Sequence, residues 1–245
     1  MLSKAQIKLI RSLHNKKFRE ETGMFIAEGK RLVEDIAASS IKIEHIYATT
    51  RYNGDLKHIS ITEDDLAEIS ALTAPQAIIA LCRVPEVTGK LPDLKESMAI
   101  ALDDIRDPGN LGTIIRIADW FGITNIFCSD ESVEAYNPKT VQATMGSIAR
   151  VNLFYVDLKE VLARYKNEGV PIYGAMLDGN NVYNEALTHN GILVIGNEAN
   201  GISEGVARCV TNSVCIPSYA VQQGPESLNA AVAAAVLCAE FKRRN

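Results

Sequence analysis

Cysteine, histidine and tryptophan are scarce in this chain, and their spacing excludes more than their number. The five cysteines, Cys82, Cys128, Cys209, Cys215 and Cys238, are far apart and form no CxxC pair. A disulfide framework or a structural zinc site is therefore not expected, and a reducing cytoplasm is the expected location. Of the four histidines (His14, His45, His58, His189), none stands at ligand spacing from another histidine or a cysteine. No metal is expected. Uninterrupted apolar runs never approach the length of a membrane span, so no membrane partner is expected. The leading segment MLSKAQIKLIRSLHNKK lacks the apolar stretch and small-residue cleavage site of a signal peptide. There is no GxGxxG and no GxxxxGK[ST] string. The usual dinucleotide and P-loop phosphate cradles are thus missing.

What is present can fold. The 245 residues are 47% hydrophobic and 22% charged, enough for one large domain or two modest ones around a real core. Net charge is −5, which argues against affinity for nucleic acid along the whole surface. The distribution is uneven, however. Residues 1–19 carry Lys4, Lys8, Arg11, Lys16, Lys17 and Arg19 and no acid. A basic leader on an acidic body fits a local phosphate-binding footprint. It also fits a solvated amphipathic helix with Ile7, Ile10 and Leu13 as its apolar stripe, and charge alone does not separate the two.

The pattern divides the chain near residues 84–97, where VPEVTGKLPDLKES has two prolines, a glycine and no periodicity. Residues 1–90 read as a small α/β domain. Helices are expected near 3–14 and 28–38, strands at 41–49 and 76–84, and a helix over 61–70 capped by Thr62. From 98 to 245, short apolar runs (MAIAL, NIFC, VNLFYV, PIYGAM, ILVIG, SVCI) alternate with helical patterns. That alternation predicts an α/β domain with a largely parallel sheet covered on both faces.

Ligands of open α/β sheets bind beyond the carboxyl ends of strands, and three strand exits here are rich in Gly, Asn and charge. In LDDIRDPGNLGTIIRIADWFGI (102–123), Leu111, Ile114, Ile115, Ala118 and Phe121 make the buried stripe of a helix. Arg116 lies off that stripe, Asn110 is the expected N-cap, and Gly122 takes the C′ position. DDIRD also matches the DDxxD signature of prenyl-transferring enzymes, but that chemistry needs an all-helical bundle and a second acidic motif. The second exit, ILVIGNEANGIS (192–203), runs from an apolar strand into a Gly/Asn loop with one carboxylate, Glu198. In the third, SVCIPSYAVQQGPESLNAAVAAAVLCAEF (213–241), Ser227 is the expected N-cap of a long helix. Leu228, Ala231, Val232, Ala235, Val236 and Ala239 form its expected apolar face.

Together these segments resemble the three motifs of the SpoU/TrmH family of RNA ribose 2′-O-methyltransferases. N-x-G-T-x-x-R with a following FG, G-x-E-x-x-G after an apolar strand, and I-P followed by S-L-N and an alanine-rich helix occur in the family's order. NPKTVQATMGSIARV (137–151) is similar to its intermotif segment. KFREETGMFIAEGKRLVEDIA (17–37) and TAPQAIIALC (73–82) are similar to its substrate-binding domain, which has a ribosomal-protein-like fold. The resemblance implies a knotted C-terminal methyltransferase domain (a trefoil knot), a homodimer through that domain, S-adenosylmethionine as cofactor and RNA as substrate. Ribosomal RNA is favoured over tRNA because a substrate-binding domain is attached. It implies Asn110, Arg116, Glu198, Ser227 and Asn229 as catalytic residues. Gly196, Asn197, Ile216, Pro217, Ser218 and Leu228 would bind the cofactor, and Lys4, Lys8, Arg11, Lys16, Lys17, Arg19 and Arg116 would bind RNA. One departure stands out. SYAVQQGPE separates Pro217 from Ser227, a loop about three residues longer than usual, and Ser218 replaces the family's methionine. A non-catalytic RNA-binding assembly factor derived from such an enzyme is the alternative.

Overall fold

A computed structural model describes residues 2–86, 90–220 and 227–243. By contacts the chain forms two compact units, residues 1–86 with 134–150, and residues 87–133 with 151–245.

The first unit begins with α1 (Lys4–Ser12), α2 (Lys16–Thr22), β1 (Met24–Glu28) and α3 (Lys30–Ala37). It continues through β2 (Ile43–Ala48), β3 (Ile59–Ser60), α4 (Glu63–Ile69) and β4 (Ile78–Arg83). Local chemistry sets the helix starts. Ser3 and Gln6 close a capping box on α1, and Thr62 and Asp65 close another on α4. The sheet runs β1-β4-β2-β3, with β4 antiparallel to both β1 and β2 and β3 parallel to β2. Ile10, Leu13, Ile26, Leu66 and Ile79 form its core.

The second unit opens with β5 (Met98–Leu102), α5 (Pro108–Trp120) and β6 (Asn125–Cys128). The next segment, with α6 (Pro138–Ala143) and a 3₁₀ turn at Ser147–Ala149, belongs by its contacts to the first unit. The second unit resumes at β7 (Asn152–Tyr155), α7 (Leu158–Asn167) and β8 (Ile172–Asn181), with a 3₁₀ turn at Val182–Asn184. It ends with β9 (Gly191–Ile195), α8 (Glu204–Ala207), β10 (Asn212–Cys215) and α9 (Ala230–Arg243). All five strand pairings are parallel, in the order β10-β8-β9-β5-β6-β7. Every residue of β5, β6 and β9 is buried, which explains why these strands read as continuous apolar runs. The strand β5 has β6 on one side and β9 on the other, so the connection order reverses there. A crevice at the carboxyl ends of β5 and β9 follows from that switch.

By contacts, two segments group differently from a single division at 84–97. Residues 134–150 pack with the first unit although they lie inside the expected 98–245 domain. Glu134 binds Arg19 through two hydrogen bonds of 2.8 and 2.6 Å, Tyr136 stacks on Phe25 at 4.8 Å, and Arg150 pairs with Asp35 at 3.2 Å. The end of the 84–97 stretch is also structured. Leu94 is buried in the core of the second unit, and the Tyr165 hydroxyl donates to the Pro92 carbonyl at 2.6 Å.

Candidate active site at the β5 and β9 exits

The two central loops are clasped before any ligand is considered. The Asp103 amide donates to the Ile195 carbonyl at 2.9 Å, and the buried Asp103 carboxylate accepts from the Ser203 amide at 2.7 Å. Asp104 turns the chain with φ of 58° and pairs with Arg106. Its carbonyl accepts from Asn197 Nδ2 at 2.8 Å. The oxygen of the same Asn197 amide accepts from the Ala199 and Asn200 backbone at 2.9 and 3.1 Å. Asn197 and Gly201 exchange backbone bonds of 3.0 and 2.8 Å. Gly196 lies under this turn so closely that a β-carbon would sit 2.3 Å from Gly201 C; only glycine fits. The acids of DDIRD thus hold loops in place, a structural role that the string alone did not reveal. Asp107 completes it as the N-cap of α5, accepting from the Asn110 amide at 2.8 Å.

That cap corrects the expectation for Asn110. With Pro108 at N1, the helix starts earlier, and Asn110 sits in its first turn with its side chain not used as a cap. Asn110 Nδ2 donates to Glu198 Oε1. Asn229 Nδ2 donates to Asn110 Oδ1 at 2.9 Å and lies 3.5 Å from Glu198 Oε1. One residue from each of the three strand exits therefore meets in a single polar trio. Asn229 is also the capping residue of α9, its Oδ1 accepting from the Ala231 and Val232 amides at 3.0 and 3.2 Å. Ser227 was expected there; a neighbouring asparagine serves instead. Arg116 stands exposed on α5, outside the trio, six residues and so roughly 9 Å along the helix from Asn110.

Among the proposed cofactor residues, Ile216 and Pro217 are half-buried, while Ser218 and Leu228 are exposed. The side chain of Asn197 is committed to loop closure, so only its backbone remains to meet a ligand. Residues 221–226 of the lengthened loop lie outside the described residues. In α9, Ala230, Ala231, Ala234, Leu237, Cys238 and Phe241 form the buried stripe within the chain. Leu228, Val232 and Ala239, on the expected face, are exposed.

The basic leader is less free than its composition implied. Arg19 is 2% exposed, bound to Glu134 and to the Leu13 carbonyl at 2.6 Å. It is a structural residue and cannot meet a phosphate. Arg11 pairs with Glu68, Lys16 with Glu20 and Lys17 with Glu21, at 3.5, 3.6 and 3.8 Å, all on the surface. Lys4 and Lys8 are exposed on α1. Among the described residues, no cluster of three or more His, Cys, Asp or Glu could hold a metal ion. No described helix is long and apolar enough to cross a membrane.

The sequence matches the SpoU rRNA Methylase family over residues 97–239 and an MRM3-like substrate binding domain over residues 4–80. It is 33% identical over 239 residues to the 23S rRNA (guanosine(2553)-2′-O)-methyltransferase RlmP of Bacillus subtilis, covering 95% of this chain and 94% of the relative. A 23S rRNA (uridine(2479)-2′-O)-methyltransferase of Streptomyces viridochromogenes is 25% identical, with 95% and 87% covered. Among solved structures, a TrmH-family protein from Porphyromonas gingivalis aligns over all of both chains with a TM-score of 0.89 at 36% identity. An AdoMet-bound rRNA methyltransferase from Sinorhizobium meliloti aligns with a TM-score of 0.86 at 28% identity, over 100% of this chain and 96% of that one. With three strand exits converging on one trio and a match that spans every strand of the parallel sheet, this chain belongs to the SpoU rRNA methylase family.

Proposed function

We propose that this protein transfers a methyl group from S-adenosylmethionine to a ribose 2′-hydroxyl of ribosomal RNA. The observation that carries the proposal is the Asn110–Glu198–Asn229 trio, assembled from segments separated by 88 and 31 residues. Two relatives that this chain nearly spans are named for 2′-O-methylation of 23S rRNA, which favours ribosomal RNA over tRNA.

The residues present suit the cofactor. Ile216, Pro217 and Leu228 leave apolar surface uncovered, as a flat adenine requires. Glu198 is the only carboxylate of the 192–203 exit and complements a cation. When bound, S-adenosylmethionine supplies an electrophilic methyl on a sulfonium, so the protein mainly supplies orientation, worth roughly 7–11 kcal/mol in well-placed reactants. Glu198 accepts from both asparagine amides and fixes their direction. Arg116, whose guanidinium does not deprotonate in proteins, holds the phosphate beside the target ribose and stabilises the developing alkoxide as the hydroxyl proton leaves to solvent. Ser227 joins this set through the family motif.

The same reading includes a trefoil knot, a homodimer through the C-terminal domain and a cytoplasmic location. The uncovered apolar face of α9 and an 84%-exposed Trp120 on α5 support the dimer, and five free thiols support a reducing compartment. Residues 1–90 serve as the RNA-binding domain, with Lys4 and Lys8 among its exposed cations.

Ribose-methylation mapping of total RNA from a deletion strain tests the function. One ribosomal position should lose its mark, and a complete, unchanged map would refute the proposal. Calorimetry with S-adenosylmethionine addresses the non-catalytic alternative, which predicts no binding. Arg116→Ala should lower turnover by on the order of 10² with cofactor affinity near normal; near-full methylation would overturn its assigned role.

A further inference from the structure

A second site lies in the first unit, where α1 crosses the sheet. Gln6, Leu9 and Ile10 of α1, Met24 of β1, Glu44, His45 and Tyr47 of β2, and Leu81 and Arg83 of β4 enclose a cleft of about 180 Å³. Its floor is apolar and its rim carries a carboxylate, a guanidinium, an imidazole and an amide.

The geometry of β2 explains how such a rim arises. Successive side chains of a regular strand point to opposite faces, so Glu44 should face away from the cleft that His45 and Tyr47 line. The β2–β4 register slips between Ile43 and His45. Such bulges re-aim a side chain at the cost of ladder pairing, and here all three residues line the cleft. Arg83 Nε and Lys42 Nζ both bind Glu44 Oε1, at 2.7 and 3.0 Å. These two cations hold the Glu44 carboxyl below its ordinary range, so it is an ionised acceptor. His45 and Arg83 are exposed at the mouth, and the His45 ring lies 5.9 Å from the ring of Tyr47.

We propose that this cleft holds one unstacked, amino-bearing nucleobase of single-stranded RNA, with Glu44 accepting from the exocyclic amine and His45 stacking on the base. A carboxylate beside a guanidinium matches an edge that offers a donor next to an acceptor. Cytosine, adenine and guanine have such an edge, and carboxylates accept from cytosine N4. Uracil has no exocyclic amine, and its one donor, N3–H, lies between two carbonyl oxygens that repel a carboxylate, so it is discriminated against. Aromatic stacking supplies the sequence-tolerant part of the affinity. The inference rests on the reading of residues 1–90 as an RNA-binding domain.

Fluorescence anisotropy of the full-length protein with oligocytidine and oligouridine of equal length tests it. Wild type should bind oligocytidine roughly 10-fold more tightly, Glu44→Gln should erase that preference, and His45→Ala should weaken both by roughly 10-fold. Glu44 is on the surface, and an unchanged melting temperature of Glu44→Gln checks its fold; Arg83→Lys, which keeps the charge but loses the fork, should reduce the preference independently. Equal binding of the two oligonucleotides by wild type, or a preference that survives Glu44→Gln, overturns the proposal. If the chain still methylates ribosomal RNA in that event, the cleft assignment alone has failed. If wild type binds neither oligonucleotide nor ribosomal RNA, the RNA-binding reading has failed with it.

Discussion

Asn229 uses the two ends of one amide for different purposes. Its oxygen caps α9 while its nitrogen donates to Asn110 and reaches Glu198. Aspartate at this position would still cap, and would suit the positive end of the helix. It would lose the donor and put a second negative charge beside Glu198. Asn229→Asp should therefore melt within about 1 kcal/mol of wild type while turnover falls on the order of 10². Asn229→Ala should lose about 1 kcal/mol of stability as well. Thermal denaturation alongside methyl-transfer assays reads both quantities, and equal turnover in Asn229→Asp would remove the amide nitrogen from the mechanism. Arg19 is the opposite case, a cation with no surface role. Removing one member of a buried ion pair leaves the other unpaired, so Arg19→Ala should cost about 3–5 kcal/mol in denaturant unfolding. A loss below about 1 kcal/mol would contradict its structural assignment.

Elements were legible in the sequence wherever burial imposes a simple period. The central strands β5, β6 and β9 of the second unit are apolar runs because every residue in them is buried, and Thr62 caps α4 as its capping box implies. The misses have physical causes. The helix α5 was started at Asn110 because its apolar stripe begins at Leu111, whereas Pro108 at N1 marks the true start one turn earlier. The short α2 and β1 went unread, although Asn15, Gly23 and Gly29 bound them as cap and turn residues. The motifs name the three residues of the trio, but that they meet, and the division of labour within it, depend on contacts 31 to 119 residues apart. The docking of 134–150 depends on Gly146, at φ of 101°, whose β-carbon would stand 2.1 Å from Asp35 Oδ2. Gly146→Ala should thus destabilise by more than the roughly 1 kcal/mol of a left-handed backbone alone. The double variant with Asp35→Ala should recover part of that loss, because only the contact is relieved. Chemical denaturation of the two variants separates strain from contact, and no recovery would place the whole penalty in the backbone.

At the scale of the whole molecule, charge placement matters more than net charge. An acidic chain can bind RNA only where cations stand clear of their own acids, and the ion pairs of the leader set that count. Arg19 contributes nothing, and Arg11, Lys16 and Lys17 each have a surface carboxylate within 4 Å. Exposed pairs are weak, typically below 1 kcal/mol, so these three can turn to a phosphate, but each must leave an acid to do so. Lys4 and Lys8 leave none among the described ion pairs. Counterion release gives a slope of roughly 0.7–0.9 in log affinity against log salt for each phosphate neutralised. Replacing both Lys4 and Lys8 with alanine should lower the magnitude of that slope by about 1.5, and Lys16→Ala with Lys17→Ala should lower it by less. Titrating ribosomal RNA fragments across a salt series measures each slope directly. If the Lys16/Lys17 variant has the larger effect, their helical partners do not restrain them, and the phosphate path follows α2 rather than α1.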